Sequence, residues 1–449
     1  VIEPERIAEL NRAPEVAGDY VLYWMQQSQR AEFNPALEAA IAAGNRLGLP
    51  VLVGFGLTAD YPEANARHYA FMLEGLAETE RALRARGLGF VVRLGRPDGV
   101  ALGLAQRAAL VVCDCGYLRR QREWRANLAA RAGRRVLQVE GDAVVPVGVA
   151  SAKPEIAART LRPKLMRLRD AFLRPHPRQE PAVAPVEIAG DVDLGDVPAL
   201  LARLRVDRGV APVAAFRGGD TEARRRLRSF LACGLQRYVA ARAQPGAAAV
   251  STLSPYLHFG QISPVEVALA VRDAQAAGED RASFLEELIV RRELAFNFVA
   301  AAPNYDRYDC LPNWASRTLA AHRRDPREHC YDYDRLARAE THDPYWNAAM
   351  REMLVTGYMH NYMRMYWGKK VLEWSAAPEE GYANLLRLNN TFFIDGRDAN
   401  SYANVGWVFG LHDRPWPERP VLGKVRAMTA GGLRRKTDID RYVRQMALL

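Results

Sequence analysis

The hydrophobic period of the first third of the chain changes back and forth, and the second half never changes; this contrast limits the fold more than any single motif. Between residues 19 and 145, the short β-branched runs "YVLYWM", "PVLVGFG", "LGFVVRL", "ALVVCD" and "RVLQVEG" alternate with helically spaced segments. These segments are "NPALEAAIAAGNRLG", "NARHYAFMLEGLAETERALRARG", "PDGVALGLAQRA" and "RQREWRANLAARAG". Strand–helix alternation with such apolar strands predicts a parallel sheet covered on both faces. From about residue 199 strand signals nearly vanish. "TEARRRLRSFLACGLQRYVAAR", "PVEVALAVRDAQAAG", "ASFLEELIVRRELAFNFVAAA", "YWNAAMREMLVTGYMHNYMRMYWGKKVLEW" and "YANLLRLNNTFF" read as helices. The chain therefore divides into a Rossmann-like α/β domain (1–150), an interdomain segment (151–198) and an all-α domain (199–449). Pro175, Pro177, Pro181, Pro185 and Pro198 mark a surface linker within the middle segment. A length of 449 residues also exceeds what one core organises.

Several function classes are excluded by what the residues do not spell. There is no GxSxG, no HExxH and no paired cysteines at metal spacing. Cys113 and Cys115 lie on the apolar run "ALVVCDC" and read as part of a buried strand, and no metal site is expected. "GFGLTA" (Gly54, Gly56, Ala59) matches a dinucleotide fingerprint, but the next helix begins only near Glu63, past a proline, so it reads as a loop. No apolar leader opens the chain and no run reaches the length of a membrane span, so a cytoplasmic protein off the membrane is expected. The formal charge is +10, concentrated at 201–250 (ten Arg against three acids) and 411–449 (nine Lys or Arg against four acids). Such zones suit a polyanionic partner.

Six of the eight tryptophans fall in the last third. In "MHNYMRMYWGKKVLEW", Trp367 and Trp374 are seven residues apart, hence on one helix face and roughly 10.5 Å apart along its axis. Two readings follow: core packing, or a path for an electron. A helical domain rich in Trp, Arg and Asn, without a nucleophile or metal set, points to chemistry borrowed from a cofactor.

Motifs along nearly the whole chain bear on the choice by resemblance, without excluding core packing. "YWMQQSQRAEFNPAL", "SAKPEIAARTLRPKL", "STLSPYLHFGQISP", "FLEELIVRREL", "DPYWNAAMREMLVTGYMHNYMRMYWGKKVLEW" and "LHDRPWPERPVLGKVR" occur in order. Together they resemble the photolyase/cryptochrome superfamily, and within it the class II cyclobutane pyrimidine dimer photolyases. The resemblance implies an α/β domain able to hold an antenna chromophore of deazaflavin or folate type, and a helical domain holding FAD. It implies a monomer that binds duplex DNA containing a dimer, flips the dimer out, and splits it with an electron from photoexcited reduced FAD.

Residue by residue, the resemblance assigns Tyr238 and the loop Ser251, Thr252, Leu253 and Ser254 to the FAD phosphates, with Ser254 also read as an N-cap before Pro255. Arg364 and Asp395 form a pair at the flavin ring, Asn389 faces flavin N5, and Asp398 is a further flavin contact. Glu287 hydrogen-bonds the dimer, Glu286 points elsewhere because i and i+1 do not share a helix face, and Met365 lines the dimer pocket. Trp407 stacks on the flipped bases. Arg291 stands where relatives carry Trp or Arg, and Phe296 stands where Asp is common. Arg242 and Arg426 contact DNA at the lesion, and Trp416 fills the vacated duplex space. Trp346, Trp367 and Trp374 match the class II electron-transfer tryptophans. The rival readings are a cryptochrome-like blue-light receptor, which retained Glu287, Trp407 and Arg426 argue against, and a dark flavin oxidoreductase, for which no nicotinamide site is evident.

Overall fold

The computed structural model describes residues 2–449. Its N-terminal half is built on a six-stranded sheet: β1 (Ile7–Glu9), β2 (Tyr20–Trp24), β3 (Val51–Leu57), β4 (Gly89–Leu94), β5 (Ala108–Asp114) and β6 (Val136–Val139). The order is β1-β6-β5-β2-β3-β4, with β2 to β6 parallel and β1 antiparallel to β6. Every residue of β2, β3 and β5 is buried, as central strands covered on both faces must be. The five predicted strands are β2 to β6. The sixth, β1, is a three-residue edge strand ending in Glu9, too short and polar to carry a period.

"GFGLTA" is a correction. Gly54 and Gly56 lie inside β3 and not in a loop. A Cβ at Gly54 would meet Leu104 Cδ1 at 2.6 Å, and one at Gly56 would meet Pro97 Cα at 2.6 Å. The glycines thus let the helix Pro97–Ala105 lie directly on the strand.

Chain direction across the sheet reverses between β2 and β5, which opens a crevice at their C-terminal ends. Asp114, at the end of β5, shapes it. Its carboxylate accepts the main-chain N–H groups of Gln26, Gln27 and Ser28 at 2.8, 2.8 and 2.9 Å and the Tyr23 hydroxyl at 2.7 Å. The helical half covers this crevice. Arg30, pairing with Asp142 at 3.0 Å, also donates to Gly260 O at 3.0 Å.

Within 151–198, residues Ala158–Phe172 form a helix that buries Leu161, Leu165 and Phe172 among Leu227, Leu288 and Ile289 of the helical half. The proline-punctuated stretch from 173 to 196 holds no helix or strand. The segment around Tyr238 is less regular than a single helix: Asp220–Ser229 passes through a π turn (Phe230–Gly234) and a 3₁₀ turn (Leu235–Arg237) into the short helix Tyr238–Ala241. Residues 278–301 are helical with a π segment at Glu286–Arg291, a distortion that often accompanies functional side chains.

The long helix expected over 345–374 is instead two helices, Pro344–Thr356 and Asn361–Trp374, packed on each other. Gly357 ends the first in the left-handed region (φ 71°), its N–H donating to Met353 O at 2.9 Å. A Cβ there would meet Ile394 Cγ1 at 2.6 Å. Gly357→Ala should therefore cost about 1–3 kcal/mol through backbone strain and overpacking. Urea denaturation checks this; a loss below a few tenths would mean that the break does not depend on glycine.

Candidate active site

The break at Gly357 brings Trp346 onto the face of the following helix. Asp343 starts its helix by accepting the N–H groups of Tyr345 and Trp346 at 2.9 and 3.1 Å, and Tyr366 of the second helix donates its hydroxyl to the same carboxylate. The Trp346 ring lies 6.3 Å from Trp367 with planes 17° apart, and 5.9 Å from Trp374 at 62°. Trp346 Nε1 donates to Trp367 O at 3.0 Å. All three indoles are buried, at 0, 3 and 4% exposure. Trp367 and Trp374 share a helix face as the spacing required, but the indole between them comes from another helix. The column runs Trp367, Trp346, Trp374.

At its inner end Trp367 meets the Phe393 ring at 5.9 Å. The Arg364 guanidinium lies 3.9 Å from the Phe393 centroid and binds Asp395 through two bonds of 3.1 Å. Its Nε donates to Met359 O at 3.0 Å, which fixes the fork. Asn389 occupies the last turn of the helix Pro378–Phe392 and donates from Nδ2 to Asn390 Oδ1 at 3.1 Å. Met365, half-buried, is on the same helix as Arg364.

The Ser251–Ser254 loop precedes the short helix Ser254–His258. Leu253 occupies the cap position and no side chain caps the helix, so Ser254 is its first residue rather than its N-cap. Thr252 has left-handed backbone (φ 53°) and accepts from Arg226 Nη1 at 3.1 Å. Among the described residues, no main-chain N–H of Ser251 to Ser254 donates to another main-chain group. Free N–H donors beside a guanidinium suit a phosphate. Tyr238 packs edge-on against Phe230 and Phe284, and burial pushes its phenol up to about 12.

Glu287 accepts from Arg242 Nη2 at 2.8 Å while Arg242 Nη1 donates to Ser283 at 3.1 Å. Glu286 turns the other way, paired with Arg162 at 2.7 Å and with the exposed Arg291 at 3.2 Å. Arg291 is thus placed with Glu286 and not with Glu287. Part of the basic excess at 201–250 is internal, since Arg224, Arg225 and Arg226 pair with Asp220, Glu222 and Glu266.

A second aromatic cluster joins Trp407, Trp416 and Arg426. The Arg426 guanidinium lies 5.8 Å from the Trp407 ring and 5.0 Å from the Trp416 ring. Lys369, overlooked in the sequence, sits 4.7 Å from the Trp407 ring and donates to Val408 O. It is fully buried, which brings its ammonium down to about 7. The signal was present: Met365, Lys369 and Leu372 share a helix face.

Asp398 bonds His258, of the helix that begins at Ser254, at 3.1 Å. It caps the helix Ala399–Val408 and lines a cavity at the sheet crevice with Gln26, Gln29, Tyr117, Phe296 and Arg397. Phe296 stacks on Tyr117 at 4.7 Å there. Burial raises the Asp398 pKa, but the hydrogen bond and charge of His258 (3.1 Å) and the Asn400 N–H outweigh it and bring the carboxyl to about 2.

The site thus joins a crevice-bearing α/β domain to a helical domain whose buried indole column ends at an Arg–Asp pair. The sequence profile of the DNA photolyase family matches residues 21–182. The chain is 45% identical to the deoxyribodipyrimidine photo-lyase of Methanothermobacter thermautotrophicus over 99% of this chain and 98% of that one. It is 37% identical to that of Arabidopsis thaliana over 94% and 88%. In fold it is similar to a class III photolyase from Agrobacterium tumefaciens, with a TM-score of 0.74 and 21% identity over 96% of this chain and 87% of that one. The chain belongs to the DNA photolyase family.

The depressed carboxyl of Asp398 stabilises the fold above the ordinary carboxylate pKa, and that contribution is lost as pH falls through about 2. Asp398→Asn should cost about 2–3 kcal/mol at pH 7, with the gap to the parent narrowing from about pH 4 towards pH 2. Urea titrations across that range check it; a pH-independent gap would mean that the charge is not what matters.

Proposed function

We propose that the chain is a deoxyribodipyrimidine photo-lyase of the class II type, which uses light to split cyclobutane pyrimidine dimers in duplex DNA. It works as a cytoplasmic monomer. The observation that carries this reading is the buried column Trp367–Trp346–Trp374, which ends against Phe393 and the Arg364–Asp395 pair.

The residues present fit FAD. The free N–H donors of Ser251 to Ser254, with Arg226 and Tyr238 close by, suit the pyrophosphate, and Arg364 offers a positive charge held in place by Asp395. Asn389 would face N5. When bound, FAD would supply light absorption and a reversible one-electron transfer to the dimer, with no net oxidation. Around it, the chain's own groups bind and orient. The indole column, with ring centroids 5.9 and 6.3 Å apart, offers a route by which a resting flavin would be reduced. The basic surfaces take phosphates first, with salt-sensitive affinity, and the dimer leaves the stack, as the general rule for photolyases has it.

In the pocket, Glu287 accepts hydrogen bonds from the dimer's polar edge, its carboxylate aimed by Arg242. Trp407 stacks on the flipped bases with Lys369 and Arg426 against its ring, Met365 packs on the lesion, and Trp416 occupies the gap in the duplex. Asp398 serves the crevice side, where an antenna chromophore of deazaflavin or folate type fits the cavity between Gln26, Tyr117 and Phe296. The blue-light receptor alternative shares the indole column but has no need of the Glu287–Arg242 pair.

Chemically reduced, illuminated protein should split dimers in a duplex oligonucleotide, and dark samples should not. Glu287→Gln should retain FAD and lower the yield per photon by ~10-fold, the loss of one charge-assisted hydrogen bond. High-performance chromatography of the oligonucleotide reads both. Absence of repair by the parent in light would favour the receptor, and an unchanged yield in the variant would make Glu287 structural.

A further inference from the structure

Side chains from one short stretch of the α/β half hold four consecutive residues of the helical half. Glu63 accepts from Asn390 Nδ2 at 2.6 Å, and Asn65 Nδ2 donates to Thr391 O at 2.7 Å. Arg67 donates to Phe392 O at 2.6 Å, and His68 Nε2 lies 2.9 Å from Phe393 O. On the other side of the ring, His68 Nδ1 accepts the Asn65 main-chain N–H at 3.1 Å, and Arg397 Nη1 also lies 2.9 Å from Nε2. Residues 390–393 lie between Asn389 and Asp395, so the clamp grips the stretch that carries both. Glu63 holds its place with left-handed backbone, φ 59°.

Asn390 is the link with chemical consequences. It is 0% exposed. Its Oδ1 accepts the Arg397 main-chain N–H at 2.9 Å, and that group can only donate. Its Nδ2 faces the Glu63 carboxylate, which accepts. The amide orientation is therefore fixed from both sides. The same Oδ1 lies 3.1 Å from Asn389 Nδ2, so Asn389 turns its amino group to Asn390 and its carbonyl oxygen away.

We propose that Asn390 is a positioning residue for Asn389: held by Glu63 and the Arg397 N–H, it takes the Asn389 amino group and so presents the Asn389 carbonyl oxygen to flavin N5. This rests on the reading of Asn389 as the residue facing N5. An oxygen there accepts a hydrogen bond and favours flavin that carries a proton on N5. An amino group there would favour the deprotonated form. The α/β half thus sets the hydrogen-bonding sense of a flavin contact in the other half.

The test uses the FAD-loaded enzyme, illuminated without oxygen and stopped at one-electron reduction. The absorption spectrum then gives the ratio of N5-protonated to deprotonated flavin. Asn390→Leu should lower that ratio by about 3–10-fold, the effect of one hydrogen bond, with FAD content unchanged. Asn390→Asp combined with Glu63→Gln restores an acceptor for Asn389 and a donor–acceptor pair with residue 63, and should return the parent ratio. Asn390→Ala serves if Asn390→Leu does not load FAD. A parent-like ratio in a loaded Asn390→Leu or Asn390→Ala protein, or failure of the double variant to recover it, overturns the proposal. Asn389→Leu separates the two levels: if it leaves the ratio unchanged, Asn389 does not face N5, and the positioning role falls with that reading. If it shifts the ratio while Asn390→Leu does not, only the positioning role fails.

Discussion

The insertion of Trp346 between Trp367 and Trp374 is the contact on which the helical half is organised. It requires the chain to turn at Gly357, so that Pro344–Thr356 lies against Asn361–Trp374. It also requires Asp343 to serve both helices, capping one while binding Tyr366 of the other. Once the two helices are locked, Arg364 is aimed from the same surface as Trp367. Asp395 reaches Arg364 because Gly357 O receives the Ile394 N–H at 2.9 Å, which draws the 393–398 loop against the helix break. Core packing and electron relay therefore do not compete here. The burial that makes these indoles a core also keeps them close, rigid and dry.

A second constraint is the polar seam between the halves. Helices leave their last carbonyls without partners, and two helices end at this seam. Arg67 donates to Met353 O and Leu354 O of one and Phe392 O of the other, at 3.1, 2.6 and 2.6 Å. A guanidinium in this place is costly to desolvate, and burial brings its pKa down to about 10. The carbonyl ends of helices offset that cost, since they concentrate partial negative charge. The α/β half thus supplies donors that the helical half lacks, and residues 389–398 are fastened to both.

Much of this was legible in the sequence because it depends on local period. β2 to β6, the helices between them and the loss of strand signal after residue 199 all follow from spacing. The opposition of Glu286 and Glu287 follows from helix geometry and is seen in their separate arginine partners. Features set by distant partners were not legible. Gly54 and Gly56 read as a loop because the residues they pack against, Leu104 and Pro97, lie some fifty and forty residues away in the sequence. The 345–374 pattern keeps a helical period across Gly357, so only the left-handed cap reveals the break. Pro163 hid the helix Ala158–Phe172. Lys369 was not singled out, and Glu63, Asn65, Arg67 and His68 read as an ordinary helix start, because the latter group's partners lie more than 280 residues onward.

The order of the column gives the most direct test. If the electron path is Trp367–Trp346–Trp374, the middle indole comes from a different helix, and no bypass joins the outer two. Trp346→Phe keeps most of the apolar volume and replaces indole with a ring far harder to oxidise. Time-resolved absorption of the FAD-loaded variant, excited in its oxidised state, should show the first indole oxidised and recombining quickly, with steady-state photoreduction nearly abolished. Photoreduction at the parent rate in a folded, loaded Trp346→Phe protein would contradict the account and leave the three tryptophans as core alone.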